Sequence, residues 1–175
     1  MQGQAMNAKD SICRYLGYGG PDHLHRTLDE SLAWDDERLE STHDFVQWWF
    51  PLAEPSAFNP HAPVASHAEF EALGVDKRVR AGVERAMHRM LRFYGLRQEA
   101  SGVINKAREW DRRSPNWAFK KSHNDLRITR LLKSLCLLGH RQQAEALLSA
   151  LEDIIKCERD PSDQGALIFW REALL

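Results

Sequence analysis

Cysteine is scarce in this chain. Cys13, Cys136 and Cys157 are its three copies among 175 residues, and no two of them share a C-x-x-C spacing. An odd, sparse set of this kind excludes a disulfide framework and a four-cysteine zinc module, and it fits a reducing compartment. Long apolar runs are missing too. Stretches such as CLL at 136–138 and ALIFW at 166–170 are far too short to cross a bilayer. The opening MQGQAMNAKDS lacks the apolar centre of a secretory signal, so the expected location is cytoplasmic. Phosphate-cradling glycine loops, G-x-S-x-G and H-E-x-x-H are all absent. Of the eight histidines, His23 and His25 are two apart, which does not put them on one helix face. His43, His61, His67 and His123 fall at or near expected element ends. No metal and no cofactor are expected. Cys136 sits among leucines, the setting of a packed thiol rather than a nucleophile. The expectation is therefore a protein that is not an enzyme, the alternative being an acid/base cluster of His43, Asp44, Arg127 and Arg130.

What the sequence does contain is an ordinary globular share of apolar residues, 43%, beside 28% charged ones. The net charge of −1 conceals a segregation: −8 over residues 1–75, +10 over 76–133 and −3 over 134–175. Such blocks attract an oppositely charged partner or fold against each other. Apolar residues recur at helical spacing nearly everywhere, and no stretch alternates convincingly with period two. The spacing predicts helices over about 9–16, from Pro21-Asp22, from Asp35 or Asp36 to Phe50, from Ser66 to about Gly74, from Asp76 to Gly95, over 98–111, 123–138 and 140–158, and a short last one after Ser162. Leu167, Ile168, Phe169 and Trp170 are expected to be buried there. The predicted fold is all-α, one domain over 1–175, a bundle of about 6–8 helices with a long proline-rich loop at 51–65. A loop of that length in a compact domain is packed or functional.

Two faces are candidates for function. In HNDLRITRLLKSLCLLG, residues Ile128, Leu131, Leu132, Leu135 and Leu138 form an apolar stripe, with Leu126 and Leu137 on the opposite side. A helix apolar on two sides is central, and Arg127, Arg130 and Ser134 then form a polar strip along it. A guanidinium so placed needs a carboxylate, and Glu40, Asp44 and Glu54 are the expected partners. The aromatics of HDFVQWWFP either pack the core or wall a pocket rimmed by the 51–63 loop. Phe45 and Trp48 are assigned to the core, while Trp49 is open to both readings. The expected ligand site comprises Trp49, Glu54, Asn59, His61, Arg127 and Arg130. For an amphiphilic peptide, the arginines would take its carboxylate, Glu54 its amine and Trp49 an aromatic side chain. The alternative face is basic: Arg78, Arg85, Arg89 and Arg92 on the helix from 76, continued to Arg97 and beyond, with Trp110, Trp117 and Phe119 available to stack on nucleic-acid bases. A solvated arginine face is the plainer reading of the same pattern.

Three stretches carry a resemblance. LESTHDFVQWWFPLAEPSAFNPHAP, RMLRFYGL at 89–96 and SHNDLRITRLLKSLCLLG at 122–139 are similar, in order and spacing, to the conserved domain of the opioid growth factor receptor family over about 12–158. Phe45 stands where that family usually has tyrosine, Trp49 where it has a smaller aliphatic residue, and Ser122 where it has asparagine. The resemblance implies a nucleus-associated intracellular receptor for the peptide Met-enkephalin, with no catalytic residues. The chain is expected to be a short relative without the repeat-bearing tail of the animal receptors.

Overall fold

A computed structural model of the chain describes residues 7–175. Ten α-helices, two single-turn 3-10 segments and one two-stranded hairpin are present among them. The all-α expectation holds, with more and shorter helices than the 6–8 expected, because one expected helix is broken and single turns fill the connectors. None of these helices is long and apolar enough to cross a membrane. The chain divides into two compact units. The first runs to Ala86 and includes Leu137–Gly139, and the second takes Met87–Cys136 and His140–Leu175.

In the first unit, α1 (Ala8–Gly17) starts at Asn7, whose side chain accepts the Asp10 amide, and buries Ile12, Tyr15 and Leu16. No helix begins at Pro21-Asp22. Pro21 instead bridges Thr27, and Asp22 curls the intervening turn by accepting the Leu24 and Arg26 amides at 2.8 and 3.0 Å. α2 (Leu28–Leu32) opens at Thr27 with a reciprocal Thr27–Glu30 capping box. α3 (Asp36–Ser41) is capped by Asp35, and the helix expected to run on to Phe50 breaks at Thr42, which is extended. α4 (Val46–Trp49) resumes after the break. The gap lets Asp44 pair with Arg26 at 2.9 Å, and Phe45, Trp49 and Phe50 are fully buried beyond it. α5 (His67–Val75) has the expected Ser66–Glu69 capping box. α6 (Lys77–Phe93) begins as expected at Asp76, whose carboxylate accepts the Arg78 and Val79 amides. Its passage over α1 depends on Gly82, where an added Cβ would lie 2.0 Å from the Leu16 carbonyl oxygen.

α6 carries the chain into the second unit and stops at Gly95, φ +74°. The helix expected over 98–111 is replaced by an antiparallel hairpin, β1 (Leu96–Gln98) against β2 (Ile104–Lys106), with Arg97 opposite Asn105. Its turn needs Gly102 at φ +90°. Strands of three residues are too short to display a period of two, which is why the spacing misled. α7 (Trp110–Arg113) and a 3-10 turn lead to α8 (Asn124–Leu137). Ser122 accepts the Asn124 amide there, but Asp125 does not complete the expected box and pairs with Arg159 instead. α8 buries Ile128, Leu131, Leu132 and Leu135, yet Leu126 is 62% exposed, so the helix is not apolar on two sides. Of the stripe expected on α9 (Arg141–Glu158), Ala144, Leu147, Leu151, Ile154 and Ile155 are buried and Leu148 is half-buried. In α10 (Ala166–Glu172), Leu167 and Trp170 are buried as expected, whereas Ile168 and Phe169 face solvent.

Candidate functional site

The proline-rich loop is held at both ends. Leu52 and Val64 pair in a parallel bridge, closing 51–65 into a loop with adjacent ends. Asn59 organises its middle. The buried Asn59 amide donates to the Asp44 carbonyl at 3.3 Å, while its side-chain oxygen accepts the His61 amide at 2.9 Å. Within this frame Glu54 and His61 are exposed, and so is Phe58, at 81%.

His61 does not stand alone. Its ring stacks on His23 with centroids 5.0 Å apart, and His23 stacks in turn on Trp48 at 6.1 Å. The Trp48 indole N–H donates to His23 Nδ1 at 3.1 Å, so the neutral imidazole keeps its own proton on Nε2. Burial pushes His23 below its ordinary value of 6.5. Asp22 and Asp44 pull it upward against that, and His61 and Arg26 push it further down. Beneath the column, Arg26 reaches Asp22 through Nε and Nη2 at 2.7 and 2.6 Å, and Asp44 through Nη1 at 2.9 Å. One guanidinium thus ties the 21–27 turn to the break before α4. Beside the column a cleft of about 290 Å³ opens between α1 and that turn.

The expected site residues are distributed unevenly over this geometry. Glu54, Asn59 and His61 lie together on the loop of the first unit, Asn59 as its clamp and the other two at its surface. Trp49 is fully buried, its indole donating to Ser31 Oγ at 2.9 Å and its ring edge-on to Phe45 at 4.7 Å, so it offers a ligand no surface. Trp48 is buried in the core as assigned, and it also lines the cleft. Arg127 and Arg130 belong to α8 of the second unit. Arg127 is buried with a guanidinium bond to Asn124 at 3.4 Å, and Arg130 is half-buried. Asp44, one of their expected partners, is the carboxylate that Arg26 holds.

The basic face is interrupted. Arg89 is 6% exposed, Arg85 pairs with Asp29 at 2.6 Å, and Arg78 lies over the Tyr18 ring. Arg92 is exposed, and Arg97 pairs with Glu99. Trp110 and Trp117 are buried and give bases nothing to stack on; Phe119 is partly exposed. The Cys13 and Cys136 thiols are both pushed up by burial, away from nucleophilic character. Sequence reasoning did not foresee the stacking of His23 on Trp48 and His61 or the Asp22–Arg26–Asp44 network. The Pro-Asp pair at 21–22 was the available signal, because proline and aspartate together favour a turn with side-chain-to-amide bonds.

Residues 19–170 match the family described as opioid growth factor receptor (OGFr) conserved region. The chain belongs to this family. It is 35% identical over 147 residues to the opioid growth factor receptor of Homo sapiens, covering 81% of this chain and 21% of that protein. The receptor of Rattus norvegicus is 40% identical over 143 residues, 78% of this chain and 24% of the rat protein. The opioid growth factor receptor-like protein 1 of Mus musculus is 36% identical over 110 residues, 61% of this chain and 23% of the mouse protein. The chain thus spans about a fifth to a quarter of the length of the curated relatives it matches. No solved structure matches it significantly.

Proposed function

We propose that this chain is a receptor-like, non-enzymatic domain that recognises a peptide at the surface of its proline-rich loop, inside the cell. One observation carries the reading. The loop is pinned at Leu52–Val64 and clamped by Asn59, so it presents Glu54, Phe58 and His61 in a fixed arrangement beside the Trp48–His23–His61 column. A preformed edge avoids most of the ordering cost of binding. Phe58 supplies apolar area, Glu54 a partner for an amine and His61 a ring face. The relatives named as opioid growth factor receptors support a peptide as the ligand class.

Isothermal titration of the chain with Met-enkephalin, the peptide implied by the family resemblance, tests the reading. Heat that saturates and is lost in Phe58→Ala and His61→Ala supports it, and no heat at high micromolar peptide rejects that ligand. Arg127→Ala and Arg130→Ala test the expected carboxylate role of those two cations: unchanged affinity in both removes them from the ligand's contacts.

A further inference from the structure

The hairpin and α9 of the second unit enclose a groove of about 450 Å³, within the size range of ligand sites. One wall is Val103, Ile104 and Asn105, and the other is the face of α9 that carries Gln142, Ala146, Ser149, Ala150 and Asp153. Successive residues of a strand point to opposite faces. A wall made of three in a row is therefore the outer edge of β2 rather than one face of the hairpin. The ladder leaves that edge open. The Glu99 amide donates to the Val103 carbonyl and the Ala107 amide to the Gly95 carbonyl, both at 2.8 Å. In this register Arg97 and Asn105 are the bonded pair between them, while Gln98–Ile104 and Leu96–Lys106 are unbonded pairs. Ile104 and Lys106 thus aim their N–H and C=O groups away from β1, and no other backbone group among the described residues takes them. Across the groove, the side chains of Gln142, Ser149 and Asp153 are exposed and make no hydrogen bond or ion pair among the described residues. Ala146 and Ala150 leave space between them. From Gln142 to Asp153 the helix rises about 17 Å, the length of about five extended residues. Asp153 is the one charged residue on the described walls.

We propose that this groove binds an extended peptide segment that adds to β2 through backbone hydrogen bonds at Ile104 and sets a lysine or arginine against Asp153. An open strand edge is a template for such pairing, and main-chain bonds supply the affinity. The added strand turns its second edge toward α9, where Gln142 and Ser149 offer donors and acceptors to its remaining amides and carbonyls. The small side chains of Ala146 and Ala150 admit it. The site is separate from the proline-rich loop, whose residues belong to the other unit, and the inference does not rest on the loop reading.

The experiment follows the Ile104 amide by NMR in the full chain. The probe is the capped pentapeptide acetyl-Lys-Val-Thr-Val-Lys-amide, with two copies N-methylated at a single residue, one at the threonine and one at the valine after it. The parent peptide is expected to shift the Ile104 amide to saturation. Only every second amide of an added strand faces β2, so the two methylated copies should differ at least tenfold in affinity. Asp153→Asn should weaken the parent about threefold, the scale of an exposed ion pair. Asp153→Lys should reverse the preference, favouring the same peptide with glutamates in place of its lysines. Ala150→Tyr fills the groove and should abolish binding while the melting temperature stays near that of the wild type. An Ile104 amide unmoved at about 10 mM peptide overturns the proposal, because even millimolar affinity would show there. Equal weakening by the two methylations does so too, as does full binding by a folded Ala150→Tyr. If that variant does not fold, the charge swap decides: an unchanged preference in Asp153→Lys overturns the proposal. A probe that shifts the Phe58 and His61 amides and leaves Ile104 unmoved removes this groove and keeps the loop reading. Saturating shifts at Ile104 that persist in Phe58→Ala and His61→Ala keep the groove, whatever the loop binds.

Discussion

Trp48 and Trp49 are neighbours in sequence, and both are buried, Trp48 at 7% exposure and Trp49 at 0%. About 100° separates them on a helix, so two neighbours can both be buried only where other elements wrap the turn, as the spread of aromatics over 45–50 suggested. The core assignment of Trp48 holds, and Trp49, open to both readings, proves to be core as well. Trp49 is fully buried, bonded to Ser31 and packed edge-on to Phe45. Trp49→Phe removes that bond and leaves a void, and it should lower stability by about 1–3 kcal/mol, read from the urea midpoint. His23 gives the pH prediction. Its folded value is depressed below 6.5, so the native state favours the neutral ring that accepts the Trp48 N–H. The contribution of this group is fully present above about 6.5 and is lost as pH falls through the depressed folded value, since the unfolded chain takes up the proton first. Wild-type stability should therefore drop on acidification through that window, and His23→Gln should flatten the drop. NMR titration of the His23 ring with a midpoint above 6.5 contradicts this.

Helices with a sustained apolar stripe or a capping pair were legible as elements. The Ser66–Glu69 box, the Asp76 start, the Gly95 stop and the α9 stripe all stand where the sequence placed them. The failures share a cause, since each depends on a contact distant in sequence. Asp44 leaves helical register for Arg26, Asp125 leaves its cap for Arg159, and the short hairpin packs Leu96 and Ile104 inward without a readable period. The candidate site is divided in the same way: Glu54, Asn59 and His61 could be grouped on one loop because prolines frame them, whereas His23 joins them only through the Asp22 turn. At the level of elements, Gly82 is the sharpest test. It carries no visible signal within the helical pattern of α6, yet any Cβ there meets the Leu16 backbone at 2.0 Å. Alanine, normally the better helix former by about 1 kcal/mol, should here destabilise the chain by about 3 kcal/mol or more, because backbone must move to admit it. Thermal unfolding of Gly82→Ala decides the sign, and a stabilised variant would mean that α1 and α6 do not approach as described.

Across the whole molecule, the segregated charge of the sequence is spent partly inside each unit. In the first, Arg85 of the basic middle takes Asp29 of the acidic third, at the surface where such a pair is worth little. In the second, Arg159 is buried and Asp125 nearly so, and the pair gathers distant segments. Arg159 donates to Asp125 at 2.6 and 2.9 Å and to the Trp117 and Ala118 carbonyls at 2.5 and 3.2 Å, while Trp170 of α10 donates to the Asp125 carbonyl at 3.1 Å. The residues just before α8, the end of α9 and the last helix thus meet on one ion pair. Arg159→Met leaves a buried carboxylate and two carbonyls without their donor, and it should cost about 3–5 kcal/mol. Desolvation makes such a pair a poor source of stability compared with apolar packing, so Arg159→Met combined with Asp125→Leu should recover part of that loss. Urea unfolding of the two single variants and the double closes the cycle. A double variant as unstable as the sum of the singles would show that the carbonyl bonds of Arg159, rather than its charge on Asp125, hold these segments together.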